Sequence, residues 1–331
     1  MTTKACALLL GFDLHHVDHI APLAHFLSLP LIVTEPSMKE CVEKYYPKME
    51  ILLKSPMEFA SYILTEFDLV FTTLPRQLID PLFFFDEECL RKKTYTFWVP
   101  HGNSDKDNLG ALTKEKLLLI YGKQMEDSLN RHGVLKEVYK RVVIGAFRYH
   151  YFQLHHSFFK KVEFPKKQKT ILYAPTWGSE ALYKDTKTVL ETLPKHYNLI
   201  VKLHPNSLHD PALKKLFVPK ENILFLEVFP TIFPLLEQVD YYVGDHSSIA
   251  YDFLRYNRPL FFLSSKKTMI HLTGKTVPAK DLFKEIEKPD TYQEGRKEIY
   301  EYAFDKTVDF TKLKEEITHT WRSFLEACSL D

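Results

Sequence analysis

Three short segments of this chain set a histidine or a pair of hydroxyls at the end of an apolar run. Tyr95-Thr-Phe-Trp-Val-Pro-His-Gly ends on His101 and Gly102, with Lys106 close behind. Leu199-Ile-Val-Lys-Leu-His-Pro carries Lys202 inside the run and ends on His204 and Pro205. Asp240-Tyr-Tyr-Val-Gly runs into Asp245, His246, Ser247 and Ser248, after which Ile249, Ala250, Phe253 and Leu254 recur at helical spacing. Serine is a good N-cap, so a helix is expected to begin at Ser247 or Ser248. A helix start offers unpaired N–H groups and the positive end of the dipole, which with two hydroxyls suits a phosphate. The plainer reading is an ordinary capped helix. Three titratable strand ends favour the ligand reading, because the carboxyl edge of an open α/β sheet is where ligands bind.

A second histidine group follows the first apolar run: His15, His16 and His19. His15 and His19 are one helical turn apart, a spacing able to hold zinc. No carboxylate or cysteine pattern completes a site and H-E-x-x-H is absent, so no metal is expected. A cleft-facing turn is the better reading for His15 and His16. Tyr241, Tyr242, Phe261 and Phe262 read as core strand residues, not as a base-stacking platform.

The elements that must carry these groups alternate. Strands are expected over 5–12, 29–35, 67–73, 95–101, 116–121 and 141–146, then over 170–175, 198–204, 223–227, 240–244 and 259–263. Helical patterning lies between them, as at 38–46 and 57–66, and a terminal helix is expected over 310–327. The basic, proline-broken stretch 159–169 reads as a linker. The expected domains are therefore 1–160 and 170–308, with a C-terminal helix over 309–331. Alternating βαβ units imply parallel sheets with right-handed crossovers. The expected fold class is α/β, with two doubly wound Rossmann-like domains facing a cleft, the general shape of GT-B glycosyltransferases.

Composition narrows the function. The 331 residues suit two domains. Lysine plus arginine is 44 against 43 acids, for a net charge of +1, which argues against a nucleic-acid partner held by bulk charge. Neither G-x-G-x-x-G nor G-x-x-x-x-G-K-[ST] is present among the 10 glycines, so neither glycine-rich phosphate loop applies. The four cysteines are scattered, without metal spacing, as fits reduced thiols in the cytoplasm. No apolar run approaches the ~18 residues that span a bilayer.

At these motifs the sequence resembles the CDP-glycerol glycerophosphotransferases that build teichoic-acid polymers. The family's His-Gly…Lys matches His101, Gly102 and Lys106; its Ala-Pro-Thr-Trp matches Ala174, Pro175, Thr176 and Trp177. Its Lys-x-His-Pro matches Lys202, His204 and Pro205. Its Asp-x-Ser-Ser…Asp…Arg-Pro matches Asp245, Ser247, Ser248, Asp252, Arg258 and Pro259. The ordered set covers roughly residues 95 to 265. Three places depart from it: Gly178 stands where members often carry Arg, Phe147 replaces the Pro of a Gly-x-Pro-Arg turn, and Ser264 to Lys267 replace an expected Asp and Tyr.

The resemblance implies transfer of glycerol phosphate, or a related polyol phosphate, from CDP-glycerol or a related nucleotide-activated donor to a hydroxyl acceptor, releasing CMP. That chemistry needs a base for the hydroxyl proton and neutralisation of phosphate charge. His101 is the expected base, since histidine titrates near ~6.5. His204 is expected to donate to a phosphate oxygen or to protonate the leaving phosphate. Lys202, Thr176, Asp245, Ser247, Ser248 and Arg258 are expected on the donor side, with Asp245 either bonding a ribose hydroxyl or capping the helix. His15, His16 and Lys106 are expected on the acceptor side. No cofactor is expected. A lipid-linked acceptor would bring the protein to the cytoplasmic membrane face, where Lys160, Lys161, Lys166, Lys167 and Lys169 could meet lipid or simply form a solvated linker. Three other readings fit the same fold: a GT-B enzyme moving a sugar from a nucleotide donor, a UDP-sugar 2-epimerase-like enzyme, and a non-catalytic nucleotide-binding member.

Overall fold

A computed structural model describes residues 4–46, 48–103, 105, 109–178, 181–227, 229, 231–263, 268–305 and 308–328. The chain forms two compact units, Met1–Leu154 with Ala303–Asp331, and His155–Tyr302. The division thus falls at 154/155, ahead of the basic stretch 159–169, which lies inside the second unit. The terminal helix Phe310–Cys328 belongs to the first unit instead of standing alone. Its Trp321 and Phe324 rings lie 5.3 and 5.5 Å from Tyr95, so aromatic packing brings the end of the chain back.

The first unit is built on strands β1 (Ala5–Leu9), β2 (Leu31–Val33), β3 (Ile51–Leu53), β4 (Leu69–Thr72), β5 (Tyr95–Trp98), β6 (Leu117–Ile120) and β7 (Lys140–Val143). They form one 7-stranded sheet in the order β3-β2-β1-β4-β5-β6-β7. The second unit holds β8 (Lys169–Ala174), β9 (Tyr197–Val201), β10 (Ile223–Phe225), β11 (Tyr241–Gly244), β12 (Leu260–Phe262) and β13 (Lys275–Thr276). Their 6-stranded sheet has the order β10-β9-β8-β11-β12-β13. All pairings between these strands are parallel, with β1 in register Leu8↔Thr72 and β8 in register Ala174↔Gly244.

The parallel sheets explain the apolar runs. Strands covered by helices on both faces are hydrophobic throughout, not alternating. Cys6, Leu8, Ile32 and Val70 pack with Phe59, Ile63, Ile79 and Phe83 in the first core. Ile171, Tyr173, Leu199, Val201 and Val243 pack with Val189, Leu213 and Leu282 in the second. Tyr241, Tyr242, Phe261 and Phe262 are all buried, as core strand residues should be.

Both sheets reverse direction beside their first strand, between β1 and β4 and between β8 and β11. Such a switch point leaves a crevice at the carboxyl ends of the strands. Both groups of motif residues fall there.

Candidate functional site

In the first unit, His16, Thr73 and His101 follow β1, β4 and β5. The His16 ring lies 4.9 Å from the His101 ring, centroid to centroid. The His15 ring stands edge-on to His16 at 4.3 Å. Thr73 Oγ1 is 2.8 Å from His16 Nδ1 and fixes that ring from the neighbouring strand end. The fold thus brings together three of the histidines picked out in the sequence. Lys106 lies outside the described residues.

His101 is exposed, but its loop is held on both sides. Tyr121 Oη donates to the Pro100 carbonyl at 3.1 Å. Two residues beyond, the buried Asn103 donates from Nδ2 to the Ala303 carbonyl at 3.1 Å. His19 Nδ1 lies 3.0 Å from Tyr121 Oη. Because that hydroxyl gives its proton to Pro100, His19 must donate to it, which sets the Nδ1–H tautomer. His19 is therefore a buried positioning group. Asn103 and Tyr121 were not picked out in the sequence, because their partners are backbone carbonyls that only the fold supplies.

Electrostatics separates these histidines. Burial pushes His16 down to about 4, with His15 adding to the effect and Asp13 opposing it. Burial, then the charge of Arg148, holds His19 well below the usual range. Arg148 is the last residue of the Gly145-Ala-Phe-Arg turn. It is buried against Asp18, to which its guanidinium is ion-paired, and Tyr46 Oη donates to the same carboxylate at 2.5 Å. His16 and His19 are therefore neutral at pH 7, and His16 is too weak a base to take a proton efficiently there. His101, by contrast, is exposed. Among the described residues, no three His, Cys, Asp or Glu side chains are grouped to hold a metal ion.

In the second unit, the ends of β8 and β11 are joined by side chains. Asp245 accepts from the Thr176 amide with both oxygens at 3.0 Å and from Thr176 Oγ1 at 2.5 Å. Gly244 makes this approach feasible, since a Cβ there would clash with Tyr242 Oη and meet the Ala174 carbonyl at 2.9 Å. The cap of the following helix is Ser247, whose hydroxyl accepts from the Ile249 amide at 3.4 Å. The helix Ser248–Phe253 then continues as a 3-10 turn, Leu254–Tyr256. This corrects the cap role considered for Asp245: Ser247 caps the helix, and the Asp245 carboxylate ties the two strand ends together.

His204 lies after β9. Its Nδ1 accepts from the Asn206 amide at 3.2 Å, so the neutral ring carries its proton on Nε2. Its ring is 5.9 Å from that of Trp177, which is half exposed. Lys202 is half-buried, and its amide extends the β8–β9 pairing to the Tyr173 carbonyl at 2.9 Å. Arg258 needs a correction. Its Nη1 donates to the carbonyls of Glu237 and Val239 at 2.9 and 2.6 Å, and the group lies over the Tyr256 ring at 5.4 Å. The geometry makes it an anchor of the 237–239 turn instead of a phosphate ligand.

Two parallel sheets, each with polar strand ends at its switch point, define a two-unit α/β protein of the GT-B class of fold. Within it, residues 153–269 match the family model described as CDP-Glycerol:Poly(glycerophosphate) glycerophosphotransferase, which bears out the resemblance read from the motifs. The matched segment contains Thr176, Lys202, His204, Asp245, Ser247 and Ser248; His101 precedes it. No curated protein matches the sequence.

Solved structures share the fold. The wall teichoic acid polymerase TagF, in a variant soaked with CDPG, aligns at 16% identity with a TM-score of 0.64, covering 98% of this chain and 90% of that one. The S. aureus MnaA–UDP co-structure aligns at 15% identity and TM-score 0.63, covering 98% and 97%. The UDP-GlcNAc 2-epimerase from Neisseria meningitidis, bound to UDP-GlcNAc, aligns at 13% identity and TM-score 0.62, covering 97% and 100%.

Proposed function

We propose that this protein transfers glycerol phosphate, or a related polyol phosphate, from a CDP-linked donor to a hydroxyl of a surface polymer or lipid-linked precursor, releasing CMP. The coarser part, a transferase using a nucleotide-linked donor, is supported by the family match over 153–269 and by fold neighbours solved with CDPG and UDP. The observation that carries the reading is the state of His204. With Nδ1 accepting from the Asn206 amide, the ring's N–H is on Nε2, at the carboxyl edge of the second sheet where the Ser247 and Ser248 hydroxyls also lie.

In this mechanism the acceptor oxygen attacks the phosphorus that carries the glycerol. Its proton passes to the His101 imidazole as the new P–O bond forms. The bond from that phosphorus to the bridging oxygen breaks, and CMP leaves with the electron pair. His204 Nε2–H and the N-terminal groups of the helix stabilise charge on the departing phosphate. Lys202 adds positive charge on the donor side, and His15 and His16 line the acceptor side. No helix among the described residues is long and apolar enough to cross a membrane. A lipid-linked acceptor would then be met peripherally, at the cytoplasmic face.

The test is to incubate the protein with CDP-glycerol and a hydroxyl acceptor and to assay CMP. Release of CMP is expected; turnover of a UDP-sugar with release of UDP instead would move the assignment to sugar transfer.

Gly178 supports a second reading, a nucleotide-binding protein without turnover. It takes the place of a family arginine and adopts φ +78°, with no atom of the described residues within 4 Å of a Cβ built there. Space for a side chain exists, but the backbone favours glycine. Tight CDP-glycerol binding by calorimetry without CMP release, with turnover appearing in Gly178→Arg, would select this reading.

A further inference from the structure

The helix Arg76–Leu90 is apolar on two opposite faces. Ile79 and Phe83 point into the first core, where the Phe83 ring lies 5.7 Å from Phe59. On the other side Leu78, Leu82 and Phe85 follow one another at spacings of four and three, with Phe84 beside them. They are 57%, 41%, 74% and 63% exposed. A helix buried on one face should carry polar residues on the other. The neighbouring helix Phe59–Glu66 obeys that rule, with exposed Thr65 and, just before it, exposed Glu58. The apolar surface is thus a patch confined to one helix and rimmed by polar groups, the pattern of an interaction site.

We propose that this face is a homodimer interface, in which the helix packs against the same helix of a second copy across a two-fold axis. Two observations choose this occupant. The first is charge. Arg76, Lys92 and Lys93 stand at the ends of the helix, and each already lies within 3.4 Å of a carboxylate, on Asp80, Asp68 and Glu87 respectively. A helix lying on a membrane surface displays lysine and arginine on its polar face; here the rim is neutralised, and Glu88 is exposed.

The second is area. With roughly 200 Å² for each fully exposed large side chain, the exposed fractions of Leu78, Leu82, Phe84 and Phe85 amount to on the order of 470 Å². A standard interface takes ~800 Å² from each partner, so these side chains would form the apolar centre and the polar rim the remainder. The face is self-complementary. In an antiparallel pairing, Leu82 of one copy meets Phe85 of the other, and the reverse contact forms by symmetry.

Sedimentation equilibrium over about 1–100 µM, a range that brackets a micromolar Kd, tests the proposal. The wild type is expected to rise toward twice the 38.9 kDa chain mass across this range. The double variant Leu82→Glu, Phe85→Glu is expected to weaken the dimer at least ~100-fold, since pairing would bury four carboxylates. Leu78→Lys serves if that variant fails to fold by circular dichroism. Met57→Glu, at an exposed apolar residue outside this helix, should leave the dimer intact. A wild type that stays monomeric, or a dimer that survives both helix variants, overturns the proposal. So does co-sedimentation of monomeric protein with phosphatidylcholine vesicles that the Glu substitutions abolish, which would make the face a membrane contact.

Discussion

The rings of His101 and His16 lie 4.9 Å apart although 85 residues separate them in the chain. Sheet order is the cause: β1 and β5 flank β4 on either side, so the loops after β1 and β5 converge over the end of β4, where Thr73 holds His16. The His16 ring is half-buried and the His101 ring exposed, and this difference divides their expected roles.

Replacing His101 with Ala should lower turnover by ~10²–10⁴-fold while leaving donor Kd nearly unchanged, as loss of a general base does. His16→Gln keeps a polar partner for Thr73 and should cost far less. The measurement is steady-state CMP release beside calorimetric donor binding. Near-wild-type turnover in a folded His101→Ala protein would remove the base assignment.

His204 should behave differently. A charge-assisted hydrogen bond contributes about 1.5–3 kcal/mol, so His204→Ala should raise donor Kd from roughly tenfold to more than a hundredfold and slow turnover as well. Ser248→Ala should follow more mildly, because the backbone N–H groups at the helix start remain. Unchanged donor binding in both variants would show that the phosphates are held elsewhere.

Much of this framework could be read from the sequence. The apolar runs at 170–175 and 240–244 became β8 and β11 within a residue of the expected bounds, because strands buried on both faces are hydrophobic throughout. The edge strands β3 and β13, of 3 and 2 residues, were missed since runs so short and half-exposed carry no pattern. The local cap at Ser247 was legible; the long-range partners of Asp245 and Arg258 were not. Asp245 meets Thr176 across 69 positions, and Arg258 meets carbonyls that offer no side-chain signal. For the same reason, a charged residue beside a phosphate motif looked like a ligand when it was part of the frame.

The Asp245–Thr176 link gives a test of that frame. Asp245→Ala removes three accepted hydrogen bonds at a buried position and should destabilise the protein by about 3 kcal/mol or more. Thr176→Val removes only the hydroxyl bond and should cost about 1–2 kcal/mol. In a double-mutant cycle by urea denaturation the two effects should be strongly non-additive. Additive losses would mean that the residues stabilise the fold independently.

Glu115 supplies a pH-dependent prediction away from the chemistry. Its side chain is fully buried and accepts from the Arg76 amide at 2.5 Å, at the start of the helix Arg76–Leu90. Burial pushes its carboxyl up to about 7 from an ordinary 4.5, and its bonds to Arg76 only partly oppose this. In the unfolded chain the group loses its proton near 4.5; in the folded protein it keeps it to about 7. Between those values the native state binds more protons, so this group makes stability fall as pH rises, with the full cost reached above pH 7. At 1.36 kcal/mol per unit the cost approaches about 3 kcal/mol. Glu115→Gln, which never ionises, should be close to wild type at pH 5 and more stable by up to that amount at pH 8. His16, depressed to about 4, weakens both proteins alike below pH 6.5 and drops out of the comparison. Urea melts of both proteins at the two pH values decide it: an equal difference at pH 5 and pH 8 would mean that Glu115 does not titrate in this range.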